Sequence, residues 1–231
     1  MKRLGIVCGV KAEEASLGIL VDDVSLKTAV SGASPARAED MARDLVEKYG
    51  CTSLLSFGVS GALSDALKPG DVALARAVIL RDGTRIAASP VFAPLLSREA
   101  AAAGIVLRHV DMADAGEVIS DAAAKRALGR RTGAHAVDME SGAVAHVARE
   151  MGVPFTALRA ISDGVDHALP HAALGAVGPG GDIRVMTTIL RLMLRPQDLP
   201  AMMRLAAGSS RGFKSLGRCA RDLVPGLLGI V

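Results

Sequence analysis

AVDMESGAVAHVAREMGVPFTALRAISDGVD, residues 136–166, reads as strand, helix, strand, and an acid follows each strand: Glu140 after the first and Asp163 after the second. HAVDM (135–139) and PFTALRAIS (154–162) are short apolar runs of strand length, and a helix is expected around 141–151. Two strands joined by a crossover helix of about a dozen residues are expected to run parallel, because an antiparallel return needs only a short hairpin. Their carboxyl ends would then share the edge at which open α/β sheets bind ligands. Both acids are therefore expected at one rim.

Working outward, strand-like and helical runs alternate. RLGIVCGV reads as a first strand with Glu13 just beyond it, ARAEDMARDLVEKYG (36–50) as a helix, and SLLSFGV (53–59) and DVALARAVIL (71–80) as further strands. GVSG (58–61) reads as a glycine turn delivered to the same rim as the acids. Such alternation implies an α/β sandwich around a largely parallel or mixed sheet. There is no internal repeat. The turn-rich stretch HALPHAALGAVGPGG (167–181), which lacks Asp, Glu, Lys and Arg, is the one candidate boundary, dividing a catalytic domain, 1–183, from a C-terminal extension, 184–231.

Composition excludes several classes of protein. With 231 residues, half of them hydrophobic, the chain can bury a sizeable core. Lys2 and Arg3 precede only a seven-residue apolar run, so no signal peptide is expected, and nowhere do 18 apolar residues follow one another, so no membrane span is expected. Cys8, Cys51 and Cys219 are odd in number and far apart, which argues against a disulfide framework or a CxxC site and for the cytosol. Trp is absent and Tyr and Phe total five, leaving few platforms for stacking nucleic-acid bases. The five histidines show no metal-ligand spacing.

The charge is lopsided. Residues 184–231 hold eight Lys and Arg against Asp198 and Asp222, a net +6, while the remainder carries −3. Met202, Leu205, Phe213, Leu216, Ala220 and Leu223 recur there at roughly helical spacing. An amphipathic basic helix of this kind packs on the core or a partner subunit, or lies on an anionic membrane.

Carboxylates converging on one pocket suit glycosidic chemistry, in which one acid protonates the leaving group and another stabilises the sugar or prepares the nucleophile. Asp163, after an apolar strand with Arg159 upstream, is the candidate proton donor; Glu140 can accept hydrogen bonds from a vicinal diol; Glu13 can orient a water.

GVKAEE, SFGVSGAL with LKPGDVALA, AVDMES and RAISD together resemble the signatures of the nucleoside phosphorylase and methylthioadenosine/adenosylhomocysteine nucleosidase superfamily, over residues 4–166. Beyond them, ALPHAAL, GPGGDI, LRPQDLPAMMRL and the basic tail resemble the hopanoid-associated phosphorylases, thought to act on adenosylhopane. The resemblance implies a three-layer α/β/α sandwich with a mixed, largely parallel central sheet, and a cytoplasmic homodimer needing neither metal nor organic cofactor. It implies that Asp163 protonates the purine N7 with Ser162 beside it, that Glu140 grips the ribose hydroxyls, and that Met139 packs on the sugar. Val118 and Ile119 would meet the adenine, Ser60 and Gly61 would line the site, and Glu13 would activate water. Two departures stand out. The Arg and Ser that hold phosphate in the phosphorylases correspond to Ser56 and Val59, and the Glu of the family's V-E-M-E is Asp138, one methylene shorter. Water or phosphate remains open as the acceptor.

Two rivals differ in class. Gly58-Val59-Ser60-Gly61-Ala62 is a near miss to a nucleophile elbow, with His167 and His171 after Asp163, which would make a serine hydrolase using Ser60. A binding module that captures a nucleoside or lipid without cleaving it would leave Glu13, Glu140 and Asp163 without a purpose.

Overall fold

A computed structural model describes residues 2–168, 180–182 and 196–228. Eight strands run β1 (Leu4–Cys8), β2 (Leu26–Val30), β3 (Ser53–Ala62), β4 (Val72–Ile79), β5 (Arg85–Ala87), β6 (Leu107–Asp114), β7 (Ala136–Asp138) and β8 (Phe155–Asp163). The described helices are α1 (Lys11–Ala15), α2 (Pro35–Glu47), α3 (Phe92–Ala103), α4 (Ala122–Thr132), α5 (Ser141–Met151) and α6 (Leu199–Asp222).

Strands β3, β8, β4, β6 and β7 each pair with two others of this set, so the centre of the sheet closes on itself, with β1 and β2 extending from β3 and β5 from β4. The sheet is mixed and mostly parallel, as expected. Successive residues alternate between its faces: Val7, Leu54, Ala73 and Ala157 join one cluster with α2 and α5, and Ile6, Leu55, Leu74 and Leu158 join another with α3 and α6. That two-residue period makes the expected three layers. All nine residues of β8 are buried, so it lies in the middle of the domain.

One expectation fails. β7 runs antiparallel to β3 and β8 parallel to it, so β7 and β8 point in opposite directions and are not neighbours. The crossover rule assumes an open sheet, and this one is closed. Glu140 reaches the rim by a different route: three-residue β7 crosses the end of β3, where Gly61 is opposite Val137 on one side and Asp163 on the other.

The boundary drawn at 183/184 lies outside the described residues, as does His171. Of the extension, α6 docks its C-terminal half on the core through Leu216, Cys219 and Ala220, followed by Leu223, Val224 and Leu227. Two glycines let it approach β8. A Cβ on Gly212 would sit 3.0 Å from the Ile161 carbonyl oxygen, and one on Gly208 would overlap that of Ser162. Among the described residues no helix is long and apolar enough to cross a membrane.

Candidate active site

The ends of β1, β3 and β8, the turn after β7, and α4 and α6 enclose a cavity of about 290 Å³, at the small end of the usual range for ligand pockets. It is lined by Glu13, Ser60, Gly61, Val118, Ile119, Asp138, Met139, Glu140, Ser162 and Asp163, the ten residues to which the sequence assigned a catalytic or binding role.

Glu13 is held by the backbone. α1 begins directly after β1 and turns the side chain back over the strand end, where Oε2 accepts from the amides of Gly9 (2.6 Å) and Val10 (3.0 Å). Oε1 accepts from the amide of Val59 at 2.8 Å. β3 continues past the end of β1, which leaves that amide free for a carboxylate. Gly58 is required by the same contact: a Cβ there would overlap the Glu13 carboxylate and lie 2.6 Å from a guanidinium nitrogen of Arg159.

Arg159, fully buried on β8, is the cation beside Asp138, Glu140 and Glu13. Its Nε lies 2.8 Å from Asp138 Oδ2, and its Nη2 lies 2.6 Å from Ser56 Oγ, 3.1 Å from Ser141 Oγ and 3.4 Å from Glu140 Oε2. One guanidinium thus faces three buried carboxylates and cannot compensate all of them. Burial raises Glu13 against the pull of Arg159 and of its three amide donors, and burial pushes Glu140 up to about 8 against the same cation. Burial would depress Arg159 itself, but the surrounding carboxylates outweigh it and hold the group charged.

Asp138 is committed inward. Its Oδ1 accepts from the amides of Glu140 and Ser141 at 3.1 and 2.8 Å, starting α5, and its Oδ2 accepts from Ser141 Oγ at 2.5 Å. The shorter acid lines the cavity, yet its hydrogen bonds are spent on the helix start and its charge on the ion pair with Arg159.

Asp163, at the end of β8, has the Ser162 hydroxyl 2.7 Å from Oδ1 and the Lys125 ammonium in contact with Oδ2. Lys125 comes from α4, which Asp121 starts by accepting from the Ala124 amide at 2.8 Å, and it is 1% exposed.

Two readings are corrected here. GVSG is no turn: residues 58–61 are extended within β3, and the ladder to β8 shifts register between Ser60 and Gly61. Ser60 is consequently no nucleophile at an elbow, because it lies inside a strand with no helix after it. Its buried hydroxyl meets no hydrogen-bond partner among the described residues, and His167 Nδ1 accepts from the Gly164 amide instead. The serine hydrolase reading falls with that geometry.

Lys125 and Glu117, not singled out from the sequence, also line the cavity, as does Phe213, read there only as part of an apolar helix face. In AAAKRALGRR nothing separates Lys125 from its basic neighbours; only its contact with Asp163 does. Arg159 was noted as a neighbour of Asp163, but the structure turns it to Asp138 and Glu140.

The fold is that of known nucleosidases. It superimposes on futalosine hydrolase of Helicobacter pylori with a TM-score of 0.76 at 20% identity, covering 98% of both chains. Against 5′-methylthioadenosine/S-adenosylhomocysteine nucleosidase of H. pylori, solved with butyl-thio-DADMe-Immucillin-A, the TM-score is 0.71 at 19% identity, again over 98% of each chain. A stretch of 46 residues is 52% identical to the nucleosidase of the same name from Treponema pallidum, which is 20% of this chain and 17% of that relative. The model of the phosphorylase superfamily matches residues 12–181. With that match over most of its length, the chain belongs to the phosphorylase superfamily.

Proposed function

We propose that this protein cleaves the N-glycosidic bond of an adenine nucleoside with water as the acceptor. The observation that carries the reading is the Glu13 carboxylate, seated on the amides of Gly9, Val10 and Val59 in the same cavity as Glu140 and Asp163. A phosphate at this rim would need those donors, and Glu13 occupies them. The buried cations Arg159 and Lys125 are already engaged by acids, and Ser56 is taken up by Arg159 and Ser141. Both facts favour hydrolysis over phosphorolysis.

In this reading Asp163 protonates N7 as the bond from C1′ to N9 breaks, with Ser162 beside it. Glu140 accepts from the ribose hydroxyls, Met139 packs on the sugar, Val118 and Ile119 border the adenine, and Ser60 and Gly61 form the wall. Glu13 accepts a proton from the water that attacks C1′; three amides leave it one free lone-pair direction for that water. Its raised affinity for protons suits a base that works near neutral pH.

The finer substrate is a nucleoside with a large apolar group on its 5′ carbon, adenosylhopane by resemblance, which places the reaction in hopanoid biosynthesis at the cytoplasmic membrane face. α6 supports this: it sends Phe213 into the cavity and presents exposed Leu199 and Met203 beside exposed Arg204, Arg211 and Lys214. A homodimer is part of the reading, since Val118 lines the cavity while 51% exposed. The second reading, a 5′-methylthioadenosine/S-adenosylhomocysteine nucleosidase, is favoured by the similarity to the Treponema enzyme.

Adenine release from 5′-methylthioadenosine and from a long-chain 5′-alkyl adenosine, each with and without phosphate, tests the proposal. Release independent of phosphate and lost in Asp163→Asn is expected, with the longer substituent preferred. A strict phosphate requirement, or no release from either nucleoside, would overturn it.

A further inference from the structure

Lys125 is the least expected group in the cavity. It is 1% exposed, and its ammonium touches Asp163 Oδ2, the Gly164 carbonyl at 3.2 Å and the His167 carbonyl at 2.9 Å. Three N–H donors thus meet three acceptors, of which only Asp163 is ionisable. Among the described residues, the other charged and titratable groups nearby face elsewhere. Arg126 bonds Asp65 and Asp166 at the surface, the His167 ring faces the Gly164 amide, and Glu13, Asp138 and Glu140 surround Arg159 across the cavity. Glu117 lines the exposed mouth, and α6 contributes the uncharged Phe213. Asp163 and Lys125 therefore form a closed pair set apart from the Arg159 cluster.

We propose that Lys125 supplies, through Asp163, the proton that the departing purine takes up. The inference rests on the reading of Asp163 as the donor to the base. An unassisted carboxylic acid in water is ionised above about pH 4, so a carboxyl donor working near neutrality needs a source of protons. A buried lysine beside it is such a source, because the ion pair and its neutral tautomer carry the same transferable proton. An N–H bond of Lys125 breaks as the carboxylate gains its proton. The carboxyl then passes the proton to N7 while the C1′–N9 pair leaves with the base. Lys125, left neutral, regains a proton from water once adenine departs. It touches no substrate atom and is a positioning residue.

Arginine separates this role from a merely electrostatic one, because it keeps the charge and the donors but does not deprotonate. Rates of adenine release across pH are compared for wild type, Lys125→Arg and Lys125→Met, with folding followed by circular dichroism; Lys125→Gln replaces Met if that variant does not fold. At about pH 8 both substitutions are expected to cost ~10²-fold or more in kcat, the size of a general-acid contribution, with KM little changed. The Met variant should recover as the pH is lowered, because solvent then supplies the proton in place of the ammonium, and the Arg variant should recover less. Wild-type rates in Lys125→Arg, or one constant factor of loss at every pH, would sink the role of Lys125 alone. Absence of release by the wild type would instead overturn the reading of the whole site.

Discussion

Arg159 Nε lies 2.8 Å from Asp138 Oδ2, with both side chains withdrawn from solvent, and this ion pair joins the start of α5 to the middle of β8. Removing the guanidinium leaves Asp138, Glu140 and Glu13 buried without a counter-charge. Arg159→Met is expected to destabilise the fold by about 3–5 kcal/mol, the usual cost of breaking a buried pair. Adding Asp138→Asn should restore part of that loss, because one uncompensated charge is removed with it. Urea denaturation of the single and double variants measures both; strict additivity would show that the two groups are not coupled.

Glu140 binds its proton more tightly in the folded protein, at about 8 against an ordinary 4.5, chiefly through burial. A raised carboxyl favours the folded state below the unfolded value and loses that contribution as pH rises through the folded one. Asp114, pushed up to about 6 by burial and by Asp138, acts in the same direction. Stability should therefore fall between about pH 4.5 and 8, and Glu140→Gln should reduce the total fall across that window by something on the order of a few kcal/mol. Melting temperatures measured at intervals across that range give the comparison, and identical slopes would contradict the assignment.

Glu13→Gln removes the base while leaving an oxygen for the amides. Adenine release should drop by about 10² to 10⁴ with little change in KM. A loss confined to KM would assign Glu13 to binding instead.

Gly58→Ala places a methyl group into the Glu13 carboxylate and 2.6 Å from Arg159 Nη1. Overpacking of this kind costs about 1–3 kcal/mol, and it should also displace Glu13 from the Val59 amide. A lowered melting temperature together with lost release is expected, and the Glu13→Gln background should mask the second effect but not the first.

Charge reversal on α6 tests the membrane reading without disturbing its buried face, which truncation before α6 would remove. Arg204→Glu with Lys214→Glu changes two exposed side chains. Sedimentation with anionic vesicles should weaken, since each basic group near such a surface contributes about 1 kcal/mol. Unchanged pelleting would discard that reading.

The sequence by itself determined the class of fold, the positions of β1, β3, β4, β7, α5 and β8, and ten of the residues that line the pocket. Apolar period and local acids are written in the order of residues, so they can be read there. The directions of β7 and β8, the extended state of residues 58–61, the inward commitment of Asp138 and the partnership of Lys125 with Asp163 were decided only by tertiary structure. Each depends on which distant backbone a segment meets. Closure of the sheet sets strand direction, a carboxylate from α1 selects the glycine of β3, and burial turns an ordinary lysine of a basic helix into the neighbour of an acid 38 residues away.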